Sequence, residues 1–224
     1  MATPSVTAAR TLQPVSLAPG SVTVVTRQEM ARNGWRSVEA VLAHTPGLYV
    51  TSDGSITSVS VRGVTGGLQG GTRLLKVMIN GTPVNFRPEL RAFVGQEFIP
   101  FEAIERIEIV YGALSALYGP NAALATLNVI TREVAAGGHA SVSGAVTGQN
   151  ENRSGFGGSG VVMYGGEFAR MILGATSSRI DRSRLRVSRT FDAQDPTLPR
   201  YAPFFRGSSD DDISLPAGAF VQIE

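Results

Sequence analysis

The chain has 224 residues, of which 26 are glycine and none cysteine, with 42% hydrophobic and 17% charged residues and a formal charge of +2. So small a charge gives no field for gathering nucleic acid, and the absence of cysteine excludes disulfides, thiolate metal sites and cysteine nucleophiles. No apolar run reaches the ~18 residues of a transmembrane helix. Met1-Ala2-Thr3-Pro4 has neither the basic n-region nor the apolar h-region of a signal peptide, which taken alone points to the cytoplasm. Many glycines with few charges suit a β-rich chain with tight turns.

Residues 1–20 are rich in Pro, Ser, Thr and Ala without periodicity, and read as an extended, mobile arm. Ser21 to Val25 is a short β-prone run. Thr26 and Glu29 have capping-box spacing at the start of a short helix, which Gly34 stops. A second helix is predicted from about Ser37, with Val38, Val41 and Leu42 as its apolar stripe and Pro46-Gly47 as its end. From here the period falls to two. Ser58 to Arg62 and Leu74 to Ile79 read as strands, and Asn80-Gly81 is a strong hairpin signal because both positions tolerate positive φ. Pro100 suits the first position of a short helix through Ile104. Arg106 to Val110 alternates as a strand with Ile107 and Ile109 on one face. Ala113 to Tyr118 is a helical turn closed by Gly119, and Leu127 to Thr131 a last short strand. Residues 21–133 therefore read as a compact α+β unit of short helices and a small mixed sheet.

After about Glu133 the texture changes. Ala140 to Gln149, Gly160 to Glu167 and Phe168 to Ser178 alternate small and polar residues over lengths close to the ~9–11 of a membrane-spanning strand. Gly165-Gly166 suits a hairpin turn between two of them. Residues 179–218 read as a long polar loop, and Ala219 to Glu224 as the start of another strand.

PSVTAARTLQPVSLAPGSVTVVT, VEAVLAHTPGLYV, VSVRGV, VMINGTPVN and IPFEAIERIEIVYGALSALYGPNAALATLNVITR follow one another in an order that resembles the start of TonB-dependent outer-membrane receptors. The resemblance covers about residues 5–133. It implies a plug inside a barrel of about 22 antiparallel strands, so that residues 1–20 are an N-terminal arm, 21–133 the plug, and 134–224 the first hairpins of an incomplete transmembrane β-barrel. It implies uptake of a scarce nutrient, such as a ferric siderophore or cobalamin, at the cell outer membrane. It also implies an energy-coupling partner, TonB, which pairs with the arm by strand addition. Ser5, Val6, Thr7 and Ala8 resemble the end of the TonB-pairing segment. Arg62 matches one of two plug arginines that face carboxylates on the barrel wall, while Tyr111 stands where the second would be. Ala125-Thr126 takes the place of a glycine pair, which leaves the packing there open. Asn85, Phe86, Arg87 and Arg91 fall in a loop that faces ligand, as does the segment from Gly66 to Thr72.

Other chemistry has little support. Gly155 to Gly160 matches a dinucleotide fingerprint, but a strand pattern follows it where a helix is required. Asp210-Asp211-Asp212 reads as a solvated loop rather than a calcium site. His44 and His139 are too far apart for a metal or catalytic pair, His44 reads as a surface or capping residue, and Trp35 and Tyr49 read as packing residues. No catalytic residue, metal ligand or cofactor is implied. The competing reading is a soluble plug-like binding module without a barrel. An open sheet edge cannot be tolerated in lipid, so the strands after Glu133 are expected to aggregate or to lie disordered beside a folded plug.

Overall fold

The structure, a computed structural model, describes residues 5–6, 13–14, 20–52, 57–64, 74–84, 94, 98–120, 122–149, 153–181, 213–214 and 217–223. In the N-terminal arm, Ser5–Val6 (β1) pairs antiparallel with Gln13–Pro14 (β2), Ser5 opposite Pro14 and Val6 opposite Gln13. Ser21–Thr26 (β3) then runs into Arg27–Arg32 (α1). The extended Thr26 caps that helix, its Oγ1 accepting from the Glu29 amide at 3.3 Å, and Gly34 leaves it at φ 69°. Ser37 caps Val38–Ala43 (α2) in the same way, at 3.1 Å from the Ala40 amide, and Val38, Val41 and Leu42 are buried as their spacing predicts. Gly47, at φ 84°, turns the chain into Leu48–Ser52 (β4), a strand the sequence pattern did not reveal. It pairs antiparallel with Thr57–Val61 (β5) in a hairpin bonded to neither larger sheet.

Leu75–Ile79 (β6) turns at Asn80 and Gly81, whose φ values of 49° and 78° are those the hairpin signal requires. The return strand, Thr82–Pro83 (β7), is only two residues long. A 3-10 helix, Phe101–Ala103, follows Pro100, which caps it rather than opening it. Ile104–Tyr111 (β8), Ser115–Tyr118 (α3, ended by Gly119 at φ 74°) and Ala125–Thr131 (β9) complete the unit. The sheet order is β3-β8-β9-β6-β7, antiparallel throughout except for the parallel pair β6 and β9.

One face of this sheet carries Val25, Ile107, Ile109, Leu127 and Val77 against Met30, the α2 stripe and Leu48, Val59 and Val61 of the hairpin. The other face packs Met78 and Val110 against Leu114, Tyr118 and Ala122 around α3. Ile107 and Ile109 share a face as expected, but the opposite face is equally dry, since Glu108 and Val110 are buried too. Ala125 and Thr126 are both buried at the start of β9, so the sheet accommodates a methyl and a hydroxyl side chain there. Truncating a residue such as Leu127 would cost about 2–5 kcal/mol in a core of this kind.

Four of the remaining strands are longer than their sequence patterns, Gly137–Gln149 (β10), Arg153–Gly165 (β11), Arg170–Asp181 (β12) and Ala217–Ile223 (β14), while Ile213–Ser214 (β13) falls where the sequence reads as a loop. They form an antiparallel sheet in the order β10-β11-β12, with β13 and β14 both against β12. The turn at Gly165-Gly166 is a four-residue loop closed by the Gly166 amide on the Ala169 carbonyl at 2.8 Å. Arg179 to Asp181 lie in β12, not in the loop expected there. These strands are ordered against the plug rather than disordered beside it. Val161, Met163 and Ile172 join the plug core, while Val142, Val162, Tyr164, Leu173, Val221 and Ile223 point away from it and are exposed. The fold is thus a small α+β plug of short helices and a mixed sheet, followed by antiparallel hairpins that form one open wall.

Candidate functional site

Among the described residues, two regions join several separated segments through polar groups. The first is the seam between plug and wall. Ser159 on the inner face of β11 donates to Glu102 Oε2 at 2.8 Å. Thr131, at the end of β9, donates to Gln222 Oε1 of β14 at 2.9 Å, and Asn80 Nδ2 donates to the same oxygen at 3.2 Å. Asn80 also bonds Thr131 twice, through Nδ2 to Oγ1 at 2.9 Å and Oδ1 from the amide at 3.0 Å. Asn128 Oδ1 accepts from the Gly81 amide at 2.9 Å, so a buried side chain holds the turn in shape. Arg27 Nη1 donates to the carbonyls of Glu102 and Ile104 at 3.0 and 2.9 Å, tying α1 to the 3-10 helix. Burial, and then the neighbouring Arg132, lower the Arg27 pKa. At the wall itself the fit leaves no room for a side chain at Gly174. A Cβ there would lie 2.6 Å from Pro100 Cγ, an atom of a rigid ring.

The second region surrounds Tyr111. Its hydroxyl donates to the Pro46 carbonyl at 2.6 Å, and the Arg62 guanidinium carbon sits 5.2 Å from the ring centroid. Arg62 does not lie in the strand that its sequence pattern predicts. The strand ends at Val61, and Arg62 occupies a turn at φ 50°, so strand alternation does not set its direction. Its amide bonds the Gly47 carbonyl at 2.7 Å. Such a position is open to Arg62 because the ring offers its guanidinium a cation–π partner, an attraction of roughly 0.5–2 kcal/mol.

Burial holds the Tyr111 phenol above its ordinary value of ~10, and Arg62 pulls it weakly the other way. The folded state therefore keeps the proton more tightly than the unfolded chain. The corresponding stability is complete below pH ~10 and is lost as pH rises through the folded pKa. As pH rises above ~10 the melting temperature of the chain should fall more steeply than that of Tyr111→Phe. Parallel curves would mean that the phenol is not buried in the folded state.

Of the other residues singled out in the sequence, Ser5 and Val6 lie in the arm's short hairpin. Thr7, Ala8, the segment from Gly66 to Thr72, Asn85, Phe86, Arg87, Arg91 and Asp210 to Asp212 lie outside the described residues. Gly155 to Gly160 lie within β11. His44 ends α2, its Nδ1 2.8 Å from the Ala40 carbonyl, and stacks on Trp35 at 5.3 Å. Trp35 packs on the core as expected, whereas Tyr49 is 67% exposed and is not a packing residue. The strand Leu48–Ser52 has one face on the core, and Tyr49 falls on the other. Sequence patterns gave no hint of Glu102, Ser159 and Gln222, which act through partners 57 to 142 residues away. Among the described residues no group of three or more His, Asp or Glu could hold a metal ion.

The family model for the TonB-dependent receptor plug domain matches residues 14–126, half of the chain. The chain belongs to that family. The chain is 34% identical over 133 residues to an iron-regulated outer membrane virulence protein of Vibrio cholerae serotype O1, covering 57% of this chain and 20% of the relative. It is 38% identical over 143 residues to the vitamin B12 transporter BtuB of Photobacterium profundum, covering 59% and 22%. The chain thus spans about a fifth of the length of these relatives. In fold it resembles the siderophore receptor PirA of Acinetobacter baumannii, with a TM-score of 0.61 at 21% identity over 77% of this chain and 26% of that one. These relatives are outer-membrane receptors and transporters, not enzymes, and the plug shares their compartment, the outer membrane.

Proposed function

We propose that residues 1–224 form the arm, the plug and the first wall strands of a receptor that takes up a scarce nutrient across the outer membrane, with energy from TonB. Residues 1–20 are the arm, 21–133 the plug and 134–224 the beginning of the barrel. The observation that carries this reading is the two-sided wall. Its inner face packs on the plug through Val161, Met163 and Ile172, while Val142, Val162, Tyr164, Leu173, Val221 and Ile223 form an apolar outer face. Lipid suits that outer face. A soluble plug-like module would expose it to water at a cost of roughly 25 cal/mol per Å² of apolar surface.

The orientation follows from the loops. Barrels of this kind have short periplasmic turns and long outer loops. Gly166 to Ala169 is a short turn, and residues 182–212 join β12 to β13 at the other end. Asn80, Thr131 and Gln222 then lie toward the periplasm, and Tyr111 and Leu75 toward the outside. Strand β7 heads outward, which supports Asn85, Phe86, Arg87 and Arg91 as ligand-facing residues. Ser5, Val6, Thr7 and Ala8 are the TonB-pairing segment, and Arg62 is the plug cation offered to a wall carboxylate.

An arginine pair beside an aromatic suits an anionic, partly flat ligand such as a ferric siderophore, through charge-assisted hydrogen bonds and stacking. The relatives leave cobalamin equally in view. Equilibrium binding of both ligand types to the complete receptor separates them. Replacing Arg87 and Arg91 together by alanine should weaken a ferric siderophore at least about tenfold, since each charge-assisted bond is worth roughly 1.5–3 kcal/mol. Unchanged siderophore affinity would remove the arginines from the site, and failure of both ligands to bind would remove this reading of the function.

A further inference from the structure

We propose that Tyr111 is a positioning residue that couples the β4–β5 hairpin to the place where the N-terminal arm joins the plug sheet. The hairpin is hydrogen-bonded to neither larger sheet, so side chains must fix its position. Its two ends are closed on each other by the Arg62 amide on the Gly47 carbonyl at 2.7 Å. Tyr111 grips both ends. Its hydroxyl donates to Pro46 at 2.6 Å, its ring lies 3.5 to 3.7 Å from where a Gly47 Cβ would be, and Arg62 stacks over the same ring at 5.2 Å.

The backbone of Tyr111 faces the arm. Tyr111 is paired with Ser21, the first residue of β3, and a Cβ at Gly20 would collide with the Tyr111 carbonyl oxygen. The chain can enter the sheet there only by running directly against Tyr111. One residue, 5% exposed and held by partners on three separate segments, is therefore loaded by hairpin movement and by tension on the arm alike. A close-packed junction of this kind transmits displacement because it has no slack to absorb it. Coupling between the two sites is reciprocal, so disturbing either should loosen the other. The consequence for transport rests on the proposed plug function, but the coupling itself is measurable without ligand or TonB.

Amide hydrogen exchange on the purified chain tests it. Tyr111→Phe keeps the ring and its packing and removes only the hydroxyl, so the fold should persist. Exchange should become roughly three- to tenfold faster at Leu48 and Arg62 and also across Ser21–Val25, as expected for opening with one buried hydrogen bond fewer. Leu127 and Val129 should be unchanged. Gly20→Ala, which presses on Tyr111 from the arm side, should speed exchange at Leu48 and Arg62. If Tyr111→Phe affects the hairpin alone, nothing at all, or every strand equally, the coupling role falls. A hairpin unmoved by Gly20→Ala would overturn it from the other direction.

Discussion

A complete receptor carrying Val6→Pro should bind its ligand with unchanged affinity and take none of it up. Proline has no amide hydrogen and fixes φ, so it removes a ladder donor from a segment that must pair as an added strand. Ser5–Val6 is already a strand in the chain, paired with Gln13–Pro14, which shows that these residues adopt the extended form such pairing needs. Pro14 has no amide to donate to the ladder, so the internal hairpin is a weak competitor for an added strand. Binding of the TonB periplasmic domain to the mutant should fall at least about tenfold, the equivalent of one or two lost net hydrogen bonds. Normal uptake by Val6→Pro would place the coupling segment outside residues 5–8.

Gly174→Leu should separate the plug from its wall. The Cβ alone would meet Pro100 Cγ at 2.6 Å and Val161 Cγ2 at 3.2 Å, and the proline ring cannot rotate aside. The 3-10 helix would have to lift, taking with it the Glu102 carboxylate that Ser159 holds. Overpacking of this kind costs about 1–3 kcal/mol for a modest insertion and more for a leucine. The denaturant midpoint of the purified chain should fall accordingly, with loss of protection in β11 and β12. Ala175→Leu, one residue away but on the exposed outer face, should leave the midpoint unchanged. Equal effects at both positions would show that the wall does not rest on the plug.

The local elements were largely legible in the sequence because their causes are local. Thr26 and Ser37 cap helices from within three residues, and the Val38, Val41, Leu42 stripe is a periodicity. Asn80-Gly81 is a turn whatever surrounds it, since both residues bear positive φ. What escaped is non-local. Strand β4 is five residues directly after a Pro-Gly corner, too short for its alternation to stand out. The parallel pairing of β6 with β9 joins residues 50 apart, as Leu75 opposite Ala125, and no local pattern encodes it. Arg62 looked like the last residue of an alternating strand, but the turn that closes on Gly47 redirects it toward an aromatic ring. The resemblance to the receptor family marked Tyr111 as a missing arginine. Only the three-dimensional structure shows what the tyrosine holds.

The most direct measurement is uptake of radiolabelled ferric siderophore and of labelled cobalamin by cells that express the complete receptor, with TonB present, with TonB deleted, and with the proton gradient collapsed. If the chain is the plug and first wall of an energy-coupled receptor, one ligand should accumulate only when both TonB and the gradient are intact, while surface binding of that ligand persists in all three conditions. Accumulation that continues without TonB, or surface binding of neither ligand, would contradict it.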